Sequence, residues 1–163
     1  MTSNALWCVV RGNPEAIDIN LSFILKPLAW CWVRDDKWVR VERRGEDVYH
    51  DGHKIVLHLE SEQSHKYGVT NGGKGLGRLL RKRFVLHPNI MASLVEADLV
   101  PESWKANQQN ICFWGAGWIN INGPHRYQDM VHSWKWIHGE WRHRGLKMGD
   151  DCFDNNCPAA CEE

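Results

Sequence analysis

The stretch Trp134-Lys135-Trp136-Ile137-His138-Gly139-Glu140-Trp141-Arg142-His143-Arg144 constrains the fold of this chain more than any other. Aromatic rings recur at every second position on either side of Gly139-Glu140. That pair reads as a two-residue type II′ turn, with Gly supplying the positive φ. Pairing outward from it predicts His138 opposite Trp141 and Trp136 opposite His143. Side chains alternate along a strand, so Trp134, Trp136, His138, Trp141 and His143 share one face, and Lys135, Ile137, Arg142 and Arg144 the other. An aromatic face backed by a basic one is either a core layer with a wet back or a β-ribbon that grips a partner.

Strand patterns dominate elsewhere. Ile17, Ile19, Leu21, Phe23 and Leu25 alternate with polar residues, residues 28–33 are apolar on both faces, and Val39 and Val41 alternate with Trp38 and Arg40. Asp51-Gly52, centred in a second hairpin over residues 47–60, is the strongest type I′ turn signal. A single helix is expected from Asn89, as N-cap, through Ile90, Leu94 and Val95 to about Asp98, closed by Pro101. The predicted fold is α+β: mostly antiparallel β hairpins packed around one short helix. Residues 1–149 form a single domain, and residues 150–163 form a Cys-containing C-terminal tail. Its core draws on Ile17, Ile19, Leu21, Phe23, Trp30, Trp32, Val39, Val41, Ile55, Leu57, Trp114, Trp118, Trp134 and Trp136.

Charge narrows the partners. Lys plus Arg equals Asp plus Glu at twenty each, so no global field steers the chain to a polyanion or an anionic membrane. Ten Trp exceed what a chain of 163 residues needs for its core, and Trp is favoured at binding hot spots. No window approaches eighteen uninterrupted apolar residues and the first residues lack a signal-peptide pattern. A cytoplasmic protein, in a cell or an infected host, is therefore expected. In that setting the six Cys read as thiols or metal ligands.

Three constellations carry chemistry. His138, His143, Cys152, Cys157 and Cys161 crowd into the last quarter of the chain, and zinc, the candidate cofactor, takes four Cys or His ligands. A closed zinc site would anchor a tail that has almost no apolar residues. His50 and His53, flanking the Asp51-Gly52 turn, lack a third ligand. The second constellation is basic. The segment from Gly68 to Lys74 has the G-x4-G-K spacing of a phosphate-binding loop, but Gly75 stands where Ser or Thr should hold Mg²⁺. Taken with Arg78, Arg81, Lys82 and Arg83, it is a mobile basic arm in the long loop. Lys74, Arg78, Arg81, Lys82, Arg83, Lys135, Arg142 and Arg144, with Trp141 for stacking, are the candidate binding residues.

The third is a thiol. Asn156-Cys157 late in the chain and His65-Lys66-Tyr67-Gly68-Val69 in its middle resemble the motifs of the H-box/NC proteins, papain-like acyl hydrolases or transferases. That resemblance implies a nucleophilic Cys157 opening a helix and a His65 on a strand, whereas here Pro158 follows Cys157 directly. Cys31, between Trp30 and Trp32, is a second candidate thiol, set in an apolar strand where a thiol is inert.

No coherent catalytic set accompanies these residues. The first expectation is a non-catalytic binding protein that occupies a partner's surface, of the kind phages and viruses encode to inhibit host factors. A protein partner ranks first, nucleic acid through the basic segment second, and no membrane is expected. A zinc-stabilised nucleic-acid binder and a papain-like thiol hydrolase are the alternatives.

Overall fold

Two-residue turns at residues 45–46, 51–52 and 138–139 shape the sheet. The computed structural model describes residues 8–10, 15–20, 38–64, 72–120, 128–149 and 153–163. Its strands are β1 (Cys8–Val10), β2 (Ala16–Asn20), β3 (Trp38–Arg44), β4 (Asp47–His50), β5 (His53–His58), β6 (Ile111–Asn120), β7 (Gln128–Ile137), β8 (Glu140–Lys147) and β9 (Ala159–Glu162). They form one sheet in the order β1-β2-β3-β4-β5-β9-β6-β7-β8. Neighbours are antiparallel except β6 and β9, which meet in parallel at Cys112 and Ala159. Trp30, Trp32, Leu21, Phe23, Leu25 and Cys31 lie outside the described residues.

The β4–β5 turn is as expected. Asp51 (φ 48) and Gly52 (φ 85) both adopt the positive φ of a type I′ turn, and His50 pairs with His53. The β7–β8 turn is corrected. Its central residues are His138 (φ 53) and Gly139 (φ 85), so Ile137 pairs with Glu140, Trp136 with Trp141 and Trp134 with His143. Each residue's partner therefore moves by two. Because the side-chain period is also two, the predicted faces survive, and only His138 leaves its face for the turn.

Helices pack on both faces of the sheet. Ile17, Ile19, Val39, Val41, Ile55, Ile111, Phe113 and Trp134 pack under α2 (Pro88–Glu96) and α3 (Glu102–Ala106), which contribute Ile90, Met91, Leu94 and Trp104. Helix α2 opens with Pro88 in its first turn, and the Nδ1 of His87, its N-cap, accepts from the Asn89 N–H at 3.1 Å. The helix therefore starts two residues earlier than expected, with its cap at His87 rather than Asn89. The other face, with Cys112, Trp114, Val131, Leu146 and Cys161, packs under α1 (Gly72–Leu80).

Helix α1 takes the place of the end of the expected Gly-rich loop and the start of the basic arm, and residues 65–71 lie outside the described residues. Four of its nine residues are Gly, each costing about 1 kcal/mol relative to Ala in isolation. Tertiary contact reverses that preference. A Cβ on Gly73 would lie 2.7 Å from the Phe153 ring and 2.9 Å from the Met148 Cα, and one on Gly77 would lie 3.3 Å from the Trp114 ring. The helix sits too close to the sheet for side chains at these positions. Among the described residues there are thus three α-helices and a 3-10 turn at Ser61–Ser64, rather than one helix.

The segment expected to be a tail supplies β9, between β5 and β6. Ala159, Ala160 and Cys161 are fully enclosed. The Gln63 side chain, buried in the 3-10 turn, donates to the carbonyls of Asp154 (3.2 Å) and Cys157 (2.9 Å) and anchors the approach to the strand.

Candidate functional site

Most of the reactive side chains are inside. On the α2 side, His132 of β7 stacks against Trp134 and His143, and its Nδ1 lies 2.8 Å from the His143 Nε2. Burial pushes His132 down to about 3, with His143 and His87 adding to the shift, and burial alone pushes His87 down to about 4. Further along that face, His50 Nδ1 meets Glu162 Oε1 at 2.5 Å, both side chains enclosed.

These imidazoles set a pH dependence. A His near 6.5 in the unfolded chain and near 3 or 4 when folded binds its proton preferentially in the unfolded state. Stability is then fully present above about pH 6.5 and falls as pH drops toward the folded values, by about 1.4 kcal/mol per pH unit for each such group. Urea unfolding followed from pH 7 to pH 4.5 should show this fall. His132→Asn, which keeps a polar partner for His143, should flatten the slope by about one proton.

On the α1 side the thiols cluster. Burial pushes the Cys112 thiol well up, with Cys157 adding to this and Arg144 opposing it. The hydrogen bond from Cys112 draws the Cys157 thiol below its ordinary value, against burial. The Asn110 amide also points at the Cys157 sulfur, at 4.0 Å. Cys161 is pushed by burial to about 12. Cys157 is 3% exposed and lies two residues before β9, not at the opening of a helix. His65 lies outside the described residues.

The four described residues among the five considered for zinc are spread apart. His138 is exposed in the turn, and His143 lies against Trp134 on the α2 side. Cys157 and Cys161 belong to the cluster on the α1 side, and Cys152 is outside the described residues. Among the described residues, no group of three or more His, Cys, Asp or Glu is placed to hold a metal ion.

The candidate binding residues divide differently. Trp141 is half-buried: it meets Trp136 edge-on with ring centres 5.4 Å apart and leans on the core under α2. Lys105 sits over the Trp136 ring at 4.7 Å. The aromatic face of the hairpin is therefore only partly a core layer: Trp134 is buried, Trp136 and Trp141 are half-buried and His143 is exposed. The basic face is not a core layer, because Lys135, Arg142 and Arg144 line the same side of the sheet as α1, which carries Lys74 and Arg78 and leads into Arg81, Lys82 and Arg83.

The sequence reading passed over one surface feature. Trp38, at the start of β3, is 48% exposed at the edge of a groove of about 410 Å³ lined by Asp18, Val39, Arg40 and Asp51. Arg40 sits 3.7 Å from Asp18, and its backbone N–H donates to the Asp51 carboxylate at 2.7 Å. The signal was an alternation that put Trp38 on the same face as Arg40, opposite the apolar Val39 and Val41.

No family model matches the chain, and no curated protein or solved structure matches it either. Among the described residues no helix is long and apolar enough to cross a membrane.

Proposed function

We propose that this chain is a non-catalytic binding protein that occupies a partner's surface, with a protein partner seated in the groove beside Trp38. The observation that carries this reading is the exposure of the Trp38 ring at the edge of that groove. Large aromatic rings ringed by polar groups anchor protein interfaces, because one side chain covers much area at little rotamer cost. Asp18 and Arg40 supply the polar rim. The reactive groups support the same reading from the other direction: Cys112, Cys157, Cys161 and His132 are each at most 3% exposed and so are withheld from a dissolved substrate.

The test replaces Trp38 with a photo-crosslinking amino acid in cells of the natural source, with the same replacement at the exposed Glu96 as control. One protein adduct specific to position 38 is expected. Trp38→Ala should then weaken the purified pair by about 2 kcal/mol, or roughly thirtyfold, without moving the unfolding midpoint. Identical adducts at 38 and 96, or none at 38, would overturn the reading.

A further inference from the structure

We infer that the α1 side of the molecule carries a second surface that binds the phosphate backbone of a nucleic acid. This goes beyond the Trp38 groove and does not rest on it. Gly73, Leu76, Gly77 and Leu80 turn inward from α1, which leaves Lys74 and Arg78, four residues apart, outside. The chain leaves the helix through Arg81 and Lys82, both exposed. On the same side of the sheet the β7–β8 ribbon presents Lys135 and Arg144. These six cations sit on two segments that are 50 residues apart in sequence, and only the packing of α1 against Val131 and Leu146 places them on one side.

Two observations favour a polyanion. First, among the described residues none of these six cations is held in an ion pair, and the pairs beside them are Arg83 with Glu60 and Arg142 with Glu140. Asp18, Glu42 and Asp47 stand on β2 to β4, at the other end of the strand order from β7 and β8, and Glu96 and Glu102 on the helices of the opposite face. A local group of like charges steers a ligand of opposite sign even in a chain with no net charge. Second, Lys135 lies directly opposite Arg142 in the ladder. Like charges in that relation are destabilising, and Glu140 offsets only one of them. An anion lying along the ribbon removes the repulsion.

The shape chooses among anions. Helix α1 is about 13 Å long at 1.5 Å per residue, and β8 runs about 27 Å at 3.4 Å per residue. A linear polyanion can follow both, whereas a single acidic side chain satisfies one. A lipid surface would call for exposed apolar side chains alongside the cations. The large exposed apolar residues among those described are Trp38 and Leu59, and neither lies on α1 or the ribbon. Three of the six cations are Arg, whose planar fork suits phosphate oxygens.

The experiment measures binding of the full chain to a fluorescent 20-base-pair DNA duplex between 50 and 250 mM salt. A protein that neutralises Z phosphates gives a log–log slope of about −0.9Z, so engagement of four to six cations predicts a slope between about −3.6 and −5.4. Arg78→Ala and Arg144→Ala should each make the slope shallower by about 0.9. Arg40→Ala, a cation on the far strands, and Trp38→Ala should leave it unchanged. All four positions are exposed, so folding is preserved, and circular dichroism of each variant verifies this. Absence of binding at 50 mM salt would overturn the proposal, as would a slope indifferent to Arg78 and Arg144. So would displacement of the duplex by phosphatidylserine vesicles at equal phosphate. None of these results bears on the position-38 adduct, so the two proposals fail separately.

Discussion

Removing residues 159–163 is expected to leave a chain that does not fold cooperatively. Those five residues hold β9, which joins the β1–β5 half of the sheet to the β6–β8 half. Val56 pairs with Cys161 and Leu57 with Ala160 on one side, and Cys112 pairs with Ala159 on the other. The Leu86 N–H donates to the Ala160 carbonyl at 3.0 Å, and the Glu162 N–H to the Phe84 carbonyl at 2.9 Å. Without β9, buried donors and acceptors on β5, β6 and the 84–86 segment lose partners, at about 1–3 kcal/mol for each one left unsatisfied. Several such losses exceed the 5–15 kcal/mol that holds an average domain together. The truncated chain should show no sigmoidal urea transition and should expose two new sheet edges that aggregate. Glu163→Ala, which keeps the backbone bond from Glu163 N–H to the Lys54 carbonyl, should unfold like the parent. A sharp transition in the truncated chain would show that the two half-sheets are independently stable.

Gly115→Ala is expected to be the most damaging single methyl that can be added. The ladder between β6 and β7 shifts register between Phe113 and Gly117, and this irregularity brings Gly115 against the chain that leads into α2. A Cβ there would lie 2.6 Å from the Leu86 carbonyl carbon and 2.7 Å from the His87 nitrogen. Those atoms are backbone and belong to the N-cap of α2, so no rotamer change relieves the contact. The Gly115 N–H also donates to the Leu86 carbonyl at 2.9 Å, a bond that any retreat would break. Overpacking costs about 1–3 kcal/mol, and the strained or lost hydrogen bond adds about 1 kcal/mol or more. The expected destabilisation is about 3 kcal/mol, read as a shift in the urea midpoint. Gly149→Ala, where the added carbon meets nothing within 4 Å, should stay within about 0.5 kcal/mol of the parent. A Gly115→Ala protein as stable as Gly149→Ala would mean that the Leu86–His87 segment yields freely.

What was legible in the sequence followed the period of the backbone. The alternation through Ile17, Ile19, Val39, Val41 and Ile55 located residues that are all at most 4% exposed. Asp51-Gly52 located its turn. The faces of the Trp/His hairpin came through even though its turn sits one residue earlier, because a shift of two in pairing preserves sidedness. Helix α1 was not legible, since its glycines argue against a helix until Phe153, Met148 and Trp114 are in place against them. Nor was β9, because Ala159-Ala160-Cys161 has no β-branched residue to mark a strand. Its small side chains fit a strand enclosed on both faces.

The candidate surfaces divide along the same line. Trp38 was placed with Arg40 by alternation alone, and Lys135, Arg142 and Arg144 were placed together by the hairpin. The sequence by itself determined that an aromatic face and a basic face would lie back to back on one ribbon. Only the tertiary structure decided that Trp134 of the aromatic face would join the core under α2 and α3 while α1 packed on the other side. The reason is physical: sidedness along a strand follows from bond geometry between neighbours, whereas the packing of helices on a sheet depends on surfaces brought together from distant parts of the chain. That packing set the cations of α1 on the same side of the sheet as those of β7 and β8.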